Sequence, residues 1–290
     1  GLAATAAAGR RRLLLGLSLA ANLSLLGFFK YFGFFVDSLV IALATVGVDA
    51  PTLPLRILLP IGISFYTFQT LSYTLDIYRG RLAPRRDPLE YLSFVMFFPQ
   101  LVAGPIERAS HLLPQFAAAR RFDRAEAESG LRLMLWGFVK KLLLADNLGA
   151  LADAAYASPG GVSPALLAAG TLAFAFQIYC DFSGYSDIAA GCGRLFGIEL
   201  MRNFALPYFS GSVTEFWRRW HISMSTWFRD YVYVPLGGGR GTGRQVARHE
   251  FGKARPILLL AVPGAAGERA HDDEARRDAV RREQFARRPL

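Results

Sequence analysis

Residues 13–29 carry no charge over 17 consecutive positions, and that run constrains the chain more than any other feature. A helix needs about 20 mostly apolar residues to cross the hydrocarbon of a bilayer. A second uncharged run, residues 164–178, is 15 long, with Asp181 as the first charge after it. Other windows approach that length with their charges pushed to the ends. A soluble fold would show narrow apolar stripes on amphipathic helices instead. Composition agrees without deciding, since 52% apolar residues and a mean hydropathy of +0.26 lie only just above the soluble average. The expected fold class is all-α, a polytopic membrane helix bundle.

The net charge of +10 comes from 33 basic and 23 acidic residues. Half of that excess falls in the last 51 residues. Elsewhere basic residues gather in short runs at 10–12, 79–86 and 120–124, beside the apolar spans. That is the pattern of a positive-inside bias. Membrane lipids are the expected surroundings, and nucleic acid is not an expected partner. Cys180 and Cys192 lack any CxxC or histidine spacing and read as packing residues, so no metal site is expected.

Along the chain, residues 13–29 read as a membrane helix that stops at Lys30 and the aromatic group Tyr31, Phe32, Phe34 and Phe35. Residues 33–48 read as a second, shorter span, and Pro51 and Pro54 mark a loop. Residues 57–78 are apolar with Pro60, Gly62 and several hydroxyls, and 79–90 form a charged loop assigned to the cytoplasmic side. Residues 91–103 are too short to span, and Pro99, Gly104 and Pro105 predict a broken or re-entrant helix. Residues 106–130 are polar, with an amphipathic helical pattern. Residues 131–151 form a helix whose Lys140 and Lys141 either snorkel to headgroups or line a wet cavity. Residues 164–198 are apolar with Asp181 and Asp187 embedded, and 205–236 hold the densest mixture of aromatics and charges. GGGRGTG at 237–243 is a flexible turn. A short apolar run at 256–262 and a charged tail follow, and disorder is expected there.

Four histidines occur. His249 and His271 sit in the tail and His111 in a polar loop, where solvated side chains are the ordinary outcome. His221 sits in FWRRWHISMSTWFRDYVYVPLGG, among Trp220, Arg218, Arg219, Arg229 and Asp230. An imidazole can take or give a proton near neutral pH, which suits activation of a hydroxyl acceptor. The competing reading is a structural histidine in an interfacial aromatic belt. The second cluster is YCDFSGYSD, with Asp181, Ser183, Tyr185, Ser186 and Asp187. Its two carboxylates are six residues apart, well separated around a helix, and need not act as a pair. Ser183, Gly184 and Tyr185 are expected to break the helix locally, unless the hydroxyls serve only as interhelical glue. Gly237, Gly238 and Gly239 lack the lysine and strand of a phosphate loop, and no GxSxG or HExxH occurs.

Five segments occur in order: FFKYFGFFVDS, LPIGISFYTFQTLSYTLDIYRG, FVMFFPQLVAGPIERASHLLPQF, YCDFSGYSDIAAGCGRLFGIEL and NFALPYFSGSVTEFWRRWHISMSTWFRDYVYVPLGG. Together they resemble the bacterial membrane-bound O-acyltransferases, nearest those that acetylate alginate, with teichoic acid D-alanyl transferases more distant. The resemblance covers residues 13–243. It implies a ring of membrane helices, several short, tilted or re-entrant, around a thinned core in the bacterial inner membrane. That core would join a cytoplasmic donor, acetyl-CoA or another acetyl thioester, to an acceptor outside. No bound cofactor is implied. Periplasmic acetyltransferase partners and an exported polysaccharide such as alginate as final acceptor are implied. The histidine of WRRWHIS is an active-site residue in this family and matches His221. Asp181, Ser183, Tyr185 and Asp187, with Trp217, Arg218, Trp220, Ser223, Arg229 and Asp230, are then expected to line the reaction chamber. LVAGPIER, residues 101–108, is a family signature to which the sequence assigns no role.

The resemblance also implies a second histidine, in a Leu-Trp-His-Gly context, and no such motif follows Gly243. The expectation is a partial domain at 1–243, truncated at both ends. The tail at 244–290 is expected to be disordered or aberrant, as a shifted reading frame would make it. An inactive truncated protein or scaffold, or a transporter, are the competing readings.

Overall fold

The computed structural model describes residues 8–48, 60–102, 104–157 and 161–238, all helix and loop with no strand among them. The charged tail from Arg244, with His249 and His271, and the Pro51–Pro54 loop lie outside the described residues.

Helix α1 runs Ala8–Thr45 without interruption. The two spans expected at 13–29 and 33–48 are therefore one helix. The aromatic residues after Lys30 do not stop the backbone, and no proline intervenes. Its 38 residues would extend about 57 Å. Helices α1 and α8 (Pro164–Leu195) are the two described helices long and apolar enough to cross a membrane. Leu13, Leu17, Leu25, Phe34, Phe35 and Ile41 of α1 are all exposed, which water would penalise and lipid would not.

Helix α2 (Ile63–Tyr78) packs along α1 through polar groups. Arg11 donates to the Tyr78 carbonyl at 2.8 Å, Ser18 meets Thr74 at 3.3 Å, and Thr70 donates to Asn22 at 2.6 Å. Positions 11, 18 and 22 lie on one face of α1. Between lipid-facing helices such bonds replace the hydrophobic drive, at about 0.6–2 kcal/mol each. Gly62 caps α2 with φ 77, where a Cβ would stand 2.6 Å from the Leu101 carbonyl.

Helices α3 (Pro88–Met96) and α4 (Phe98–Leu101) are separated at Phe97, whose extended backbone precedes Phe98 and Pro99. The break expected in 91–103 is present. Helix α5 (Ala109–Ala117) follows the amphipathic helical pattern of 106–130 and carries His111, which was expected in a polar loop. Phe94, Ala109, Leu112 and Leu113 pack with Ala189, Ile198 and Leu200 as the apolar core.

Asp123 caps α6 (Arg124–Phe138), accepting from the Ala125 and Glu126 amides. A π-helical turn, Val139–Ala145, joins it to α7 (Asp146–Tyr156). The expected helix at 131–151 thus begins at the cap and runs past its expected end. Helix α8 lies antiparallel to α6 at two glycine pairs. A Cβ on Gly130 would be 2.6 Å from the Gly191 carbonyl, and one on Gly137 would be 2.6 Å from the Gly184 carbonyl. Both pairs repeat at seven residues, so the backbones touch along one stripe. This corrects the expected helix break at Ser183, Gly184 and Tyr185. α8 is continuous there, and Gly184 serves close approach instead.

After α8 an extended segment leads through a short 3₁₀ turn (Pro207–Phe209) to α9 (Val213–Arg219) and α10 (Ile222–Phe228), and then to a π turn, Arg229–Tyr233. Ser212 caps α9 by accepting from Glu215, whose carboxylate accepts in turn from the Gly211 amide.

Candidate active site

His221 forms the corner between α9 and α10. Its backbone is left-handed, φ 44 and ψ 55, a conformation that costs a side chain with a Cβ about 1–2 kcal/mol. The side chain is 1% exposed, and neither ring nitrogen has a hydrogen-bond partner among the described residues. Leaving a polar group buried and unpaired costs about 1–3 kcal/mol more. One wall is aromatic: the Phe182 ring of α8 stands edge-on to the imidazole at 4.6 Å. Phe204 joins Phe182 to Trp220, with 5.0 Å between centroids on each side. Burial in these surroundings holds the His221 pKa below its usual value, which favours the neutral ring with a free nitrogen lone pair. Strain and an unmet polar group therefore coincide at this one residue.

The corner is pinned by neighbours. The Ile222 amide donates to the Asn203 carbonyl at 2.9 Å, and the Ala205 amide donates to the Arg219 carbonyl at 3.0 Å. Ser223, expected in the chamber lining, is fully buried. Its hydroxyl accepts from the Ile106 amide at 2.9 Å and donates to Asn203 Oδ1 at 2.6 Å. Trp220 stacks on Phe216, and Trp217 packs edge-on to the same ring. Arg218 is exposed on α9.

The other expected lining residues form two separate groups. In the first, Lys140 donates to Ser183 at 3.1 Å and to Asp187 at 2.5 Å. Lys141 donates to Asp146 at 2.6 Å, lies 2.9 Å from Asp181, and stands 5.7 Å from the Tyr185 ring centre. Each aspartate therefore takes its own lysine, as their angular separation on α8 allows. Both lysines are held in ion pairs. In the second group, Arg108 pairs with Asp230 at 2.7 Å, Arg229 donates to the same carboxylate at 2.7 Å, and Arg79 donates to the Asp230 carbonyl at 3.1 Å. Tyr231 donates to the buried Asp76 at 2.7 Å, with Arg79 and Arg108 over its ring. Arg229 and Asp230 thus belong to an ionic cluster joining α2, the GPIER loop and the end of α10.

GPIER acquires a role from these contacts. Ile106 reaches Ser223, Glu107 accepts from both His111 and the Met201 amide, and Arg108 reaches Asp230. Three consecutive residues dock three separate segments. Sequence reasoning missed Asn203, Glu107 and Asp76. Asp76 carried a visible signal, being an acid in an otherwise apolar stretch, but its partner Tyr231 lies far away in the chain, as does the Met201 amide that Glu107 holds. Among the described residues no group of three or more metal-ligating side chains occurs.

The model of the membrane-bound O-acyltransferase family matches residues 81–248, more than half of the chain and including the whole His221 corner. The chain belongs to the membrane-bound O-acyltransferase family. This family member is 47% identical to a probable alginate O-acetylase AlgI of Azotobacter vinelandii, over 81% of the chain and 46% of the relative. It is 47% identical to the probable alginate O-acetylase AlgI of Pseudomonas aeruginosa, over 84% of the chain and 46% of the relative. A peptidoglycan O-acetyltransferase of Helicobacter pylori is 36% identical, over 79% of the chain and 48% of the relative. The chain spans about half the length of these curated relatives.

Proposed function

We propose that the chain serves O-acetylation of an exported polysaccharide, such as alginate, from a multi-pass position in the bacterial inner membrane. An acetyl thioester, acetyl-CoA or another, is the donor. His221 is the general base: its neutral ring takes the proton of the acceptor hydroxyl as that oxygen attacks the thioester carbonyl, and the thiol leaves. Periplasmic acetyltransferases then carry the acetyl group to the polymer. The observation that carries this reading is the buried, strained and unpartnered imidazole of His221. The names of the relatives, which act on alginate and peptidoglycan, support the acceptor class.

The test uses purified protein in micelles with radiolabelled acetyl-CoA and a soluble hydroxyl acceptor. Formation of a hydroxylamine-labile ester is expected, and His221→Ala should lower it by about 100-fold or more, the low end of what a general base supplies. Undiminished ester formation by His221→Ala would remove the base assignment.

A further inference from the structure

We propose that Asn203 and Ser223 are positioning residues that fix the His221 ring through one continuous chain of buried hydrogen bonds. The chain starts at the Ile106 amide, which donates to Ser223 Oγ at 2.9 Å. Ser223 Oγ donates to Asn203 Oδ1 at 2.6 Å, and Asn203 Nδ2 donates to Ser186 Oγ at 2.9 Å. Asn203 also holds the Ile222 amide through its own carbonyl at 2.9 Å. Ser223, Asn203 and Ser186 are 0%, 2% and 5% exposed.

The arrangement has one direction. The Ile106 amide can only donate, so Ser223 must accept there and spend its proton on Asn203. With its oxygen occupied, the Asn203 amide turns its NH₂ toward Ser186. Each bond thereby fixes the rotamer of the next group. The four members come from the GPIER loop, α10, the segment after α8, and α8 itself.

Among the described residues no hydrogen bond holds the imidazole. Its aromatic neighbour Phe182 restricts the ring by contact, without directing either nitrogen. The position of the ring is therefore set by its backbone, which is left-handed and would relax if released. Residues 222 and 223 are both tied to Asn203, one by main chain and one by side chain. Asn203 thus clamps the corner immediately after His221 at two points. Ser223 acts on His221 through that clamp.

The kinetic consequence rests on the proposed role of His221; the geometric consequence does not. The test combines both in the purified chain. Histidine ring ¹⁵N resonances report the His221 environment, assigned by the signal lost in His221→Gln. Ser223→Ala and Asn203→Ala should move or broaden the His221 signals, while Ser223→Thr, which keeps the hydroxyl, should leave them in place. In acetyl transfer, both alanine variants should lose about 10- to 100-fold in kcat with KM within about twofold, the scale of a misplaced catalytic group. Ser223→Thr should stay within about threefold of wild type. Unmoved His221 resonances in both alanine variants would overturn the proposal, as would equal damage by Ser223→Thr and Ser223→Ala. If wild type transfers no acetyl group, the functional reading falls while the resonances still decide the clamp.

Discussion

Single residues carry the site by what they lack or share. His221 was legible in the sequence because it stands in a dense aromatic and basic segment, yet its left-handed backbone was not, since nothing local in WRRWHIS demands it. Glu107 is the converse case. It is fully buried, and its carboxylate accepts from the Met201 amide and from His111 at 2.8 Å. Glu107→Ala leaves that amide unpaired and should lower unfolding free energy by about 1–3 kcal/mol, read by denaturation of the purified protein. The pH dependence follows from the same pair. The hydrogen bond to Glu107 raises the His111 pKa above its usual 6.5, against an opposing effect of partial burial. A raised folded-state value means that this contribution is complete below about pH 6.5 and fades as pH rises through the raised value. The unfolding midpoint should fall across that window, and His111→Gln should flatten the fall.

Elements are held by close backbone approach and by ion pairs between helices. Helices α6 and α8 touch at Gly130–Gly191 and Gly137–Gly184. A methyl on Gly137 would meet the Gly184 carbonyl at 2.6 Å and Ile188 at 2.7 Å. Gly137→Ala should destabilise by about 1–3 kcal/mol through overpacking. Gly16→Ala on α1, which meets nothing within 4 Å, should be neutral or slightly stabilising in the same thermal-shift measurement. The expected helix break at Gly184 failed for a physical reason. In a lone sequence a glycine among serines reads as a weak point, whereas beside a second glycine it is a contact. The lysine pairs were hidden in the same way. Lys140 and Asp187 are 47 residues apart, and only the antiparallel packing of α6 on α8 brings them to 2.5 Å. The break at Phe97 was visible because Pro99 enforces it locally.

At the scale of the molecule, apolar run length predicted the all-helical fold, since bilayer thickness acts on each helix independently, but it did not predict that α1 and α8 run unbroken. The division of the expected chamber residues into three groups was invisible, because it depends on which loops dock where. GPIER decides that docking, and its three contacts span up to 122 residues of sequence, from Arg108 to Asp230. These elements meet at the corner where α8, the GPIER loop and the segment around Asn203 enclose one imidazole. The most direct test of that imidazole's role is the O-acetyl content of exopolysaccharide secreted by cells that depend on this protein for acetylation, measured by proton NMR for wild type and His221→Ala at matched membrane levels. Loss of acetyl esters to the background of cells lacking the protein is predicted for His221→Ala. Wild-type acetyl content in that variant would contradict the central claim.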